Sequence, residues 1–225
     1  MDTAFVDTLA LTGQLALLTT AILLVVGMTV ACLLAFYNFR LKPLVEALIS
    51  MPMVLPPTVL GFYLLTAYSP DHAPGRWLQQ QFDIRLAFTF EGVLIASVLF
   101  SLPFMIQPLQ NGLAALPVSL REAAYTLGKS RLTTFFRVIL PNIKPSLITA
   151  VAMTFAHCIG EFGVVIMVGG NMPGETRVAS IAIYDEVQTL NFAGANRYSL
   201  VLFVASLVLL TVIYSINAMH KKENR

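Results

Sequence analysis

Five long apolar runs divide this sequence, at residues 15–37, 47–68, 92–109, 147–168 and 198–216. A helix that crosses about 30 Å of hydrocarbon at about 1.5 Å per residue needs roughly 20 mostly apolar residues. Each run meets or approaches that length, the third and fifth being the shortest. The pattern predicts an all-α, polytopic helical membrane protein of about five transmembrane helices, with residues 1–225 forming one domain.

Between the third and fourth runs the pattern changes to an amphipathic one. Ser119 and Glu122 have the S-x-x-E spacing of a capping box, which starts a helix at Ser119 and gives Glu122 a capping role. Leu120, Ala123, Ala124 and Leu127 follow at helical spacing, and Gly128 is placed to end the helix in a left-handed conformation. Ser130 then caps a second helix carrying Leu132, Phe135, Phe136, Ile139 and Leu140, until Pro141 interrupts it. The expected product is a helix, a glycine turn and a second amphipathic helix. Such an element fits a groove in a partner, or the membrane surface with Arg131 and Arg137 at the headgroups.

Two runs carry residues that a plain span does not need. The second contains Pro52, Pro56, Pro57 and Gly61. Proline removes an amide donor and crowds the preceding turn, so this helix is expected to kink or break, either as packing or to line a pathway. Thr58 is the hydroxyl there that can face a polar route. The fourth run contains His157 and Glu161, four residues apart and so expected on one helix face. Ionisable groups at such depth cost about 2.5–3.5 kcal/mol each and usually face the bundle interior. Gly160 and Gly163 flank Glu161 and permit close helix approach or a local bend. A carboxylate repels an anion, so Glu161 is read as an anchor for an Arg or His, a gate, or a packing site. Residues 178–190 are too short and too charged to span and are expected to form a small helix over the outer mouth. Arg177 before them is either solvated or attracts an anion. Trp77, Phe82, Phe88 and Phe90 suit the membrane interface.

Composition supports the bilayer reading. The 225 residues are 57% hydrophobic and 12% charged, with a mean hydropathy of +0.77, whereas about a quarter of a soluble domain is charged. Ten of the 14 Lys and Arg residues fall on one side of a five-span chain: Arg40, Lys42, Arg121, Lys129, Arg131, Arg137, Lys144, Lys221, Lys222 and Arg225. The positive-inside bias then puts the amino terminus outside and the carboxyl terminus in the cytoplasm, consistent with Asp2 and Asp7 ahead of the first run. No basic region precedes that run, so it is expected to stay rather than be cleaved. Cys32 and Cys158 lie within apolar runs and read as small buried thiols. No phosphate-binding loop, paired catalytic carboxylates or metal-ligand cluster occurs, so the chain is not expected to be an enzyme, and no nucleic-acid partner is expected.

Residues 122–141 resemble the EAA loop of bacterial ABC importer permeases: Glu122-Ala123-Ala124, three residues, Gly128, nine residues, Val138, one residue, Leu140-Pro141. Val138 stands where that family usually has isoleucine. With the proline-rich second run, the segment Gly160-Glu161-Phe162-Gly163 and the following PGETR, the chain is similar to the molybdate, or molybdate and tungstate, permeases, with sulfate and thiosulfate permeases as relatives. The resemblance implies a transport subunit of the bacterial inner membrane that works by alternating access. It also implies a homodimer, two separate ATPase subunits that hold ATP and Mg, and a periplasmic oxyanion-binding protein. Residues 117–144 become the cytoplasmic coupling loop, with Glu122, Ala123, Ala124, Gly128, Phe135, Leu140 and Pro141 as coupling residues. Pro56, Pro57, Thr58, Gly160, Glu161 and Gly163 become the pathway or gate. A proton-coupled secondary anion transporter using His157 and Glu161 is an alternative of a different class. A membrane-anchored structural protein is a third, and leaves the proline-broken run unexplained.

Overall fold

The structure, a computed structural model, describes residues 3–223. Asp2 and Arg225, which entered the charge argument, lie outside the described residues. The chain begins with α1 (Thr3–Phe36), α2 (Lys42–Ser50), α3 (Pro57–Tyr68), α4 (Ala73–Phe82) and α5 (Phe90–Ala114). There follow α6 (Val118–Thr126), α7 (Arg131–Thr134), α8 (Leu140–Asn142), α9 (Lys144–Ile159), α10 (Gly163–Gly169), α11 (Ala179–Gln188) and α12 (Phe192–Glu223).

Among the described residues three helices, α1, α5 and α12, are long and apolar enough to cross a membrane unbroken. The count rises to five when each of two bent helix pairs is taken as one span. The expected all-α, polytopic architecture is what forms, but the second and fourth spans are not single rods. The second turns through 108° between α2, with its short 3₁₀ extension to Met53, and α3. Pro56 supplies the extended φ/ψ that ends one segment, and Pro57 fills the first helical position of the next, where its missing amide costs nothing. The other bent pair joins residues 131–142 to 144–159 at 76°, and beyond it the fourth apolar run is itself broken, stopping at Ile159 and restarting at Gly163.

Helices in hydrocarbon associate through packing and small residues, because lipid is as apolar as leucine. α5 is the central rod, packed on α1 and α9, while α3 lies along α10. One apolar cluster joins Leu15, Val93, Phe100, Val164 and Ile181, and a second, toward α6, joins Leu23, Leu34, Met105, Leu109 and Ile143. Thr89 starts α5 by accepting a hydrogen bond from the Gly92 amide at 3.2 Å, and Glu91 beside it is exposed.

The segment 178–190 forms the short helix α11, tied down at its first turn. The Ala179 amide donates to Thr12 Oγ1 of α1 at 2.8 Å, and Ser180 Oγ donates to the Glu161 carbonyl at 2.6 Å. Arg177 is ion-paired with Asp185 at 3.2 Å, so it is not the free loop cation that either sequence reading required.

Candidate functional site

Two features stand apart from ordinary span packing: the polar element between α5 and α9, and a cavity where α3 meets the break between α9 and α10.

The polar element departs from its sequence pattern at both ends. Pro117, not Ser119, occupies the cap of α6, and no side chain caps it, so the expected capping box does not form. The cap falls two residues early, which carries Ser119 inside the helix. Glu122 is exposed and makes no hydrogen bond or ion pair among the described residues. Gly128 does what was expected of it: its φ is +70°, its amide donates to the Tyr125 carbonyl at 2.9 Å, and the Lys129 amide reaches Ala124 at 3.1 Å. These two bonds are the paired closure of a glycine-terminated helix. Ser130 caps the second helix through the Thr133 amide at 3.2 Å, also as expected.

Pro141 does not end that second helix. Residues 135–139 widen into a π turn, the Leu140 amide bonds back to Phe135, and the helix continues through Asn142. An α-helical proline collides with the carbonyl four residues back, and a surplus residue in the turn relieves that collision. Asn142 Nδ2 then donates to the Val138 carbonyl at 2.7 Å. The break falls at Ile143, where the chain bends 76° into α9.

Ala124 and Ile139 are buried, Phe135 and Leu140 are half-buried, and Leu127, Leu132 and Phe136 are 75%, 73% and 60% exposed. The apolar residues therefore do not share one face. Part of them anchors the element, and an apolar edge is left outside it alongside exposed Glu122, Ala123, Gly128 and Pro141. The anchor on the other side is Arg121, whose guanidinium lies 4.4 Å over the Phe36 ring at the end of α1. A cavity of about 390 Å³ opens beside that contact, lined among others by Tyr37, Glu122, Tyr125, Arg131 and Phe135.

The second feature is a cavity of about 550 Å³ lined by Pro57, Thr58, Phe100, Ala156, His157, Gly160, Glu161, Phe162 and Gly163. Five of the six sequence-derived pathway residues meet in this wall; Pro56 stands outside it as the cap of α3. Close approach of α3 and α10 requires glycine. A Cβ on Gly163 would lie 2.6 Å from Pro57 Cβ, and one on Gly61 would lie 2.6 Å from Met167 Cβ.

His157 and Glu161 line the same cavity but do not share a helix face. α9 ends at Ile159, and Gly160 caps it, so Glu161 sits in the irregular segment between helices. The expected His anchor for Glu161 is also absent: the His157 ring is stacked on Phe104, with centroids 3.9 Å apart. Glu161 is 3% exposed beside Ser97 of α5, and neither its carboxyl oxygens nor Ser97 Oγ makes a hydrogen bond among the described residues. Around it, Thr19, Ser97, Ser101 and Thr154 are fully buried, and Ser101 Oγ lies 3.3 Å from Cys158 Sγ. Sequence reasoning missed Phe100, Ala156 and Phe162 in the cavity wall. Neither Phe100 nor Ala156 carries a polar signal, and Phe162 stands out only through its contact with Tyr184 of α11 at 5.1 Å.

The chain is 45% identical over 206 residues to the molybdenum transport system permease protein ModB of Azotobacter vinelandii, an alignment covering 91% of each. It is 36% identical over 201 residues to the sulfate transport system permease protein CysT of Salmonella typhimurium, covering 89% of this chain and 71% of that one. These relatives are permease subunits and not enzymes. A bacterial alginate ABC transporter, solved with an alginate pentasaccharide-bound periplasmic protein, superposes with a TM-score of 0.78 at 16% identity, over 95% of this chain and 78% of that one. Residues 17–224 match the family model described as the binding-protein-dependent transport system inner membrane component, and the chain is a multi-pass inner-membrane member of that family.

Proposed function

We propose that this chain is the permease subunit of an ATP-driven importer that moves molybdate across the inner membrane. The observation that carries the reading is the 45% identity to a molybdenum permease across 91% of both chains, ahead of the 36% shared with a sulfate permease. A sulfate or thiosulfate importer is therefore the less favoured reading, and tungstate is the close chemical variant.

Residues 117–144 act in this reading as the coupling loop within a single transmembrane domain of residues 1–225. Its exposed edge of Leu127, Leu132 and Phe136, with Glu122 free beside it, supports insertion into a groove of a separate ATPase subunit that holds ATP and Mg. Two copies of the chain, each with its ATPase, would face each other across a two-fold axis, because the cavity between α3 and α9 is open on one side and is not a closed route by itself. ATPase closure would push on both loops and switch the packing of the broken helices, giving alternating access by rigid-body movement. A periplasmic oxyanion-binding protein would deliver the cargo to the side opposite the coupling loop. The charge asymmetry supports an external amino terminus and a cytoplasmic carboxyl terminus.

Uptake of labelled molybdate into vesicles holding the chain and its ATPase tests the reading. Uptake should stop when ATP is withdrawn and continue when a protonophore collapses the proton gradient. The opposite result would favour the secondary transporter and reject the proposal.

A further inference from the structure

We propose that His157 is a direct contact for the transported oxyanion, a hydrogen-bond donor built into the wall of the cavity between α3 and the α9–α10 break. This rests on the reading of the chain as a molybdate permease and adds the residue by which the cavity recognises its cargo.

The imidazole lies against Phe104 of α5, with centroids 3.9 Å and planes 23° apart, and Phe100 contacts it at 5.0 Å. Two ring contacts fix its orientation without engaging either nitrogen. Nε2 has no hydrogen-bond partner among the described residues and no open surface in this packing, so a ligand reaches it only when the cavity opens further. Phenylalanine would fill the same slot, complete the same aromatic stack and leave no polar atom unpaired, so packing does not account for histidine here.

The surroundings define the ligand. Among the described residues no lysine or arginine lines the cavity. Glu161, 3% exposed and in the same wall, would repel an anion as a carboxylate and can donate to one only with its carboxyl protonated. The other side-chain donors in the wall are His157 and Thr58, the latter also the first residue with an amide in the 12-residue helix α3. The amides of Val59 and Leu60 turn back to the Pro56 carbonyl, whereas the Thr58 amide and hydroxyl have no partner among the described residues. Gly163 lies beside that amide, where a Cβ would be in ordinary contact with it at 3.5 Å. An anion between Thr58 and His157 thus meets a helix amino terminus on one side and an imidazole on the other. Hydrogen-bond donors without a fixed cation also suit a passage, in which cargo must be held weakly enough to leave.

The test uses the complete transporter with its ATPase in proteoliposomes, labelled molybdate as the probe, and tungstate and sulfate as competitors. His157→Phe keeps the stack and removes the donor, and His157→Gln restores a donor. Uptake at low molybdate should fall about tenfold or more in His157→Phe. The relative inhibition by sulfate and tungstate should shift with it, and His157→Gln should recover part of both. Normal uptake with the parental competitor order in His157→Phe overturns the proposal. An equal loss in both variants with that order unchanged also overturns it, because packing damage does not change selectivity. If the unsubstituted complex takes up no molybdate on ATP, the functional reading fails and the assignment falls with it, a result distinct from a silent substitution in a working transporter.

Discussion

Gly163 and Pro57 approach so closely that a single methyl group between them would sit 2.6 Å from the proline ring. The contact joins the starts of two helices, α3 and α10, each of which follows a break in a membrane span. Neither break is a local irregularity, since each positions the other.

Gly163→Val should therefore push α3 from α10 and damage transport more than assembly. Overpacking at such a contact costs about 1–3 kcal/mol. The expected result is uptake reduced about tenfold or more, with the variant still purified as a complex with its ATPase. Normal uptake by Gly163→Val would show that the two helix starts have slack.

In the polar element between α5 and α9, Gly128 holds the turn between α6 and α7 with a φ of +70°. Replacing it with alanine should cost about 1 kcal/mol locally, because L side chains resist that conformation. Gly128→Pro also removes the amide that bonds Tyr125. We expect ATP hydrolysis to lose its dependence on transport in Gly128→Pro, measured as ATP consumed per molybdate moved, while the spans remain inserted. Retention of the parental ratio would remove residues 117–144 from the coupling role.

Arg121 should tie α6 to α1 through its stack on Phe36. A cation over an aromatic face contributes roughly 0.5–2 kcal/mol, depending on its desolvation. Arg121→Ala should accelerate amide hydrogen exchange across 118–126 severalfold, and Arg121→Lys should do so less. Equal exchange in all three proteins would show that the stack does not anchor the element.

Thr12→Val removes the acceptor of the Ala179 amide, a buried bond between α1 and the start of α11. An orphaned buried donor costs about 1–3 kcal/mol. In a chain of this size that corresponds to a melting temperature lower by roughly 2–4 °C per kcal/mol. Thr12→Ser, which keeps the hydroxyl, should recover most of the loss in a thermal melt of the detergent-solubilised protein.

The proposed orientation makes a separate prediction. After replacement of Cys32 and Cys158, a cysteine at Leu132 should react with an impermeant thiol reagent only from the cytoplasmic side, and one at Met172 only from the periplasmic side. The reverse pattern would place the coupling loop where no ATPase can reach it.

Much of this architecture was legible in the chain because hydrophobic run length is a one-dimensional property. So were Gly128 and Ser130, whose roles follow from backbone chemistry within a few residues. The failures share a different cause. Ser119 had the right spacing for a cap, but the neighbouring Pro117 started the helix first. Pro141 looked like a helix breaker, and a π turn upstream absorbed it. His157 and Glu161 were placed on one face by counting, and the helix between them stopped at Ile159. The aromatic clamp on His157 depends on how α5 and α9 are set against each other, which no local pattern encodes.

The π turn at residues 135–139 has an effect on direction as well as on the accommodation of Pro141. Each α-helical residue turns the chain by about 100°, so a surplus residue would reset the bearing of everything that precedes it unless a wider turn absorbed it. Because the π turn takes up its surplus residue within that one turn, excising an amino acid there should leave Leu132 facing much as before, whereas an excision in the α-helical residues before it would swing Leu132 by about 100° and leave the membrane bundle intact while its handle points elsewhere.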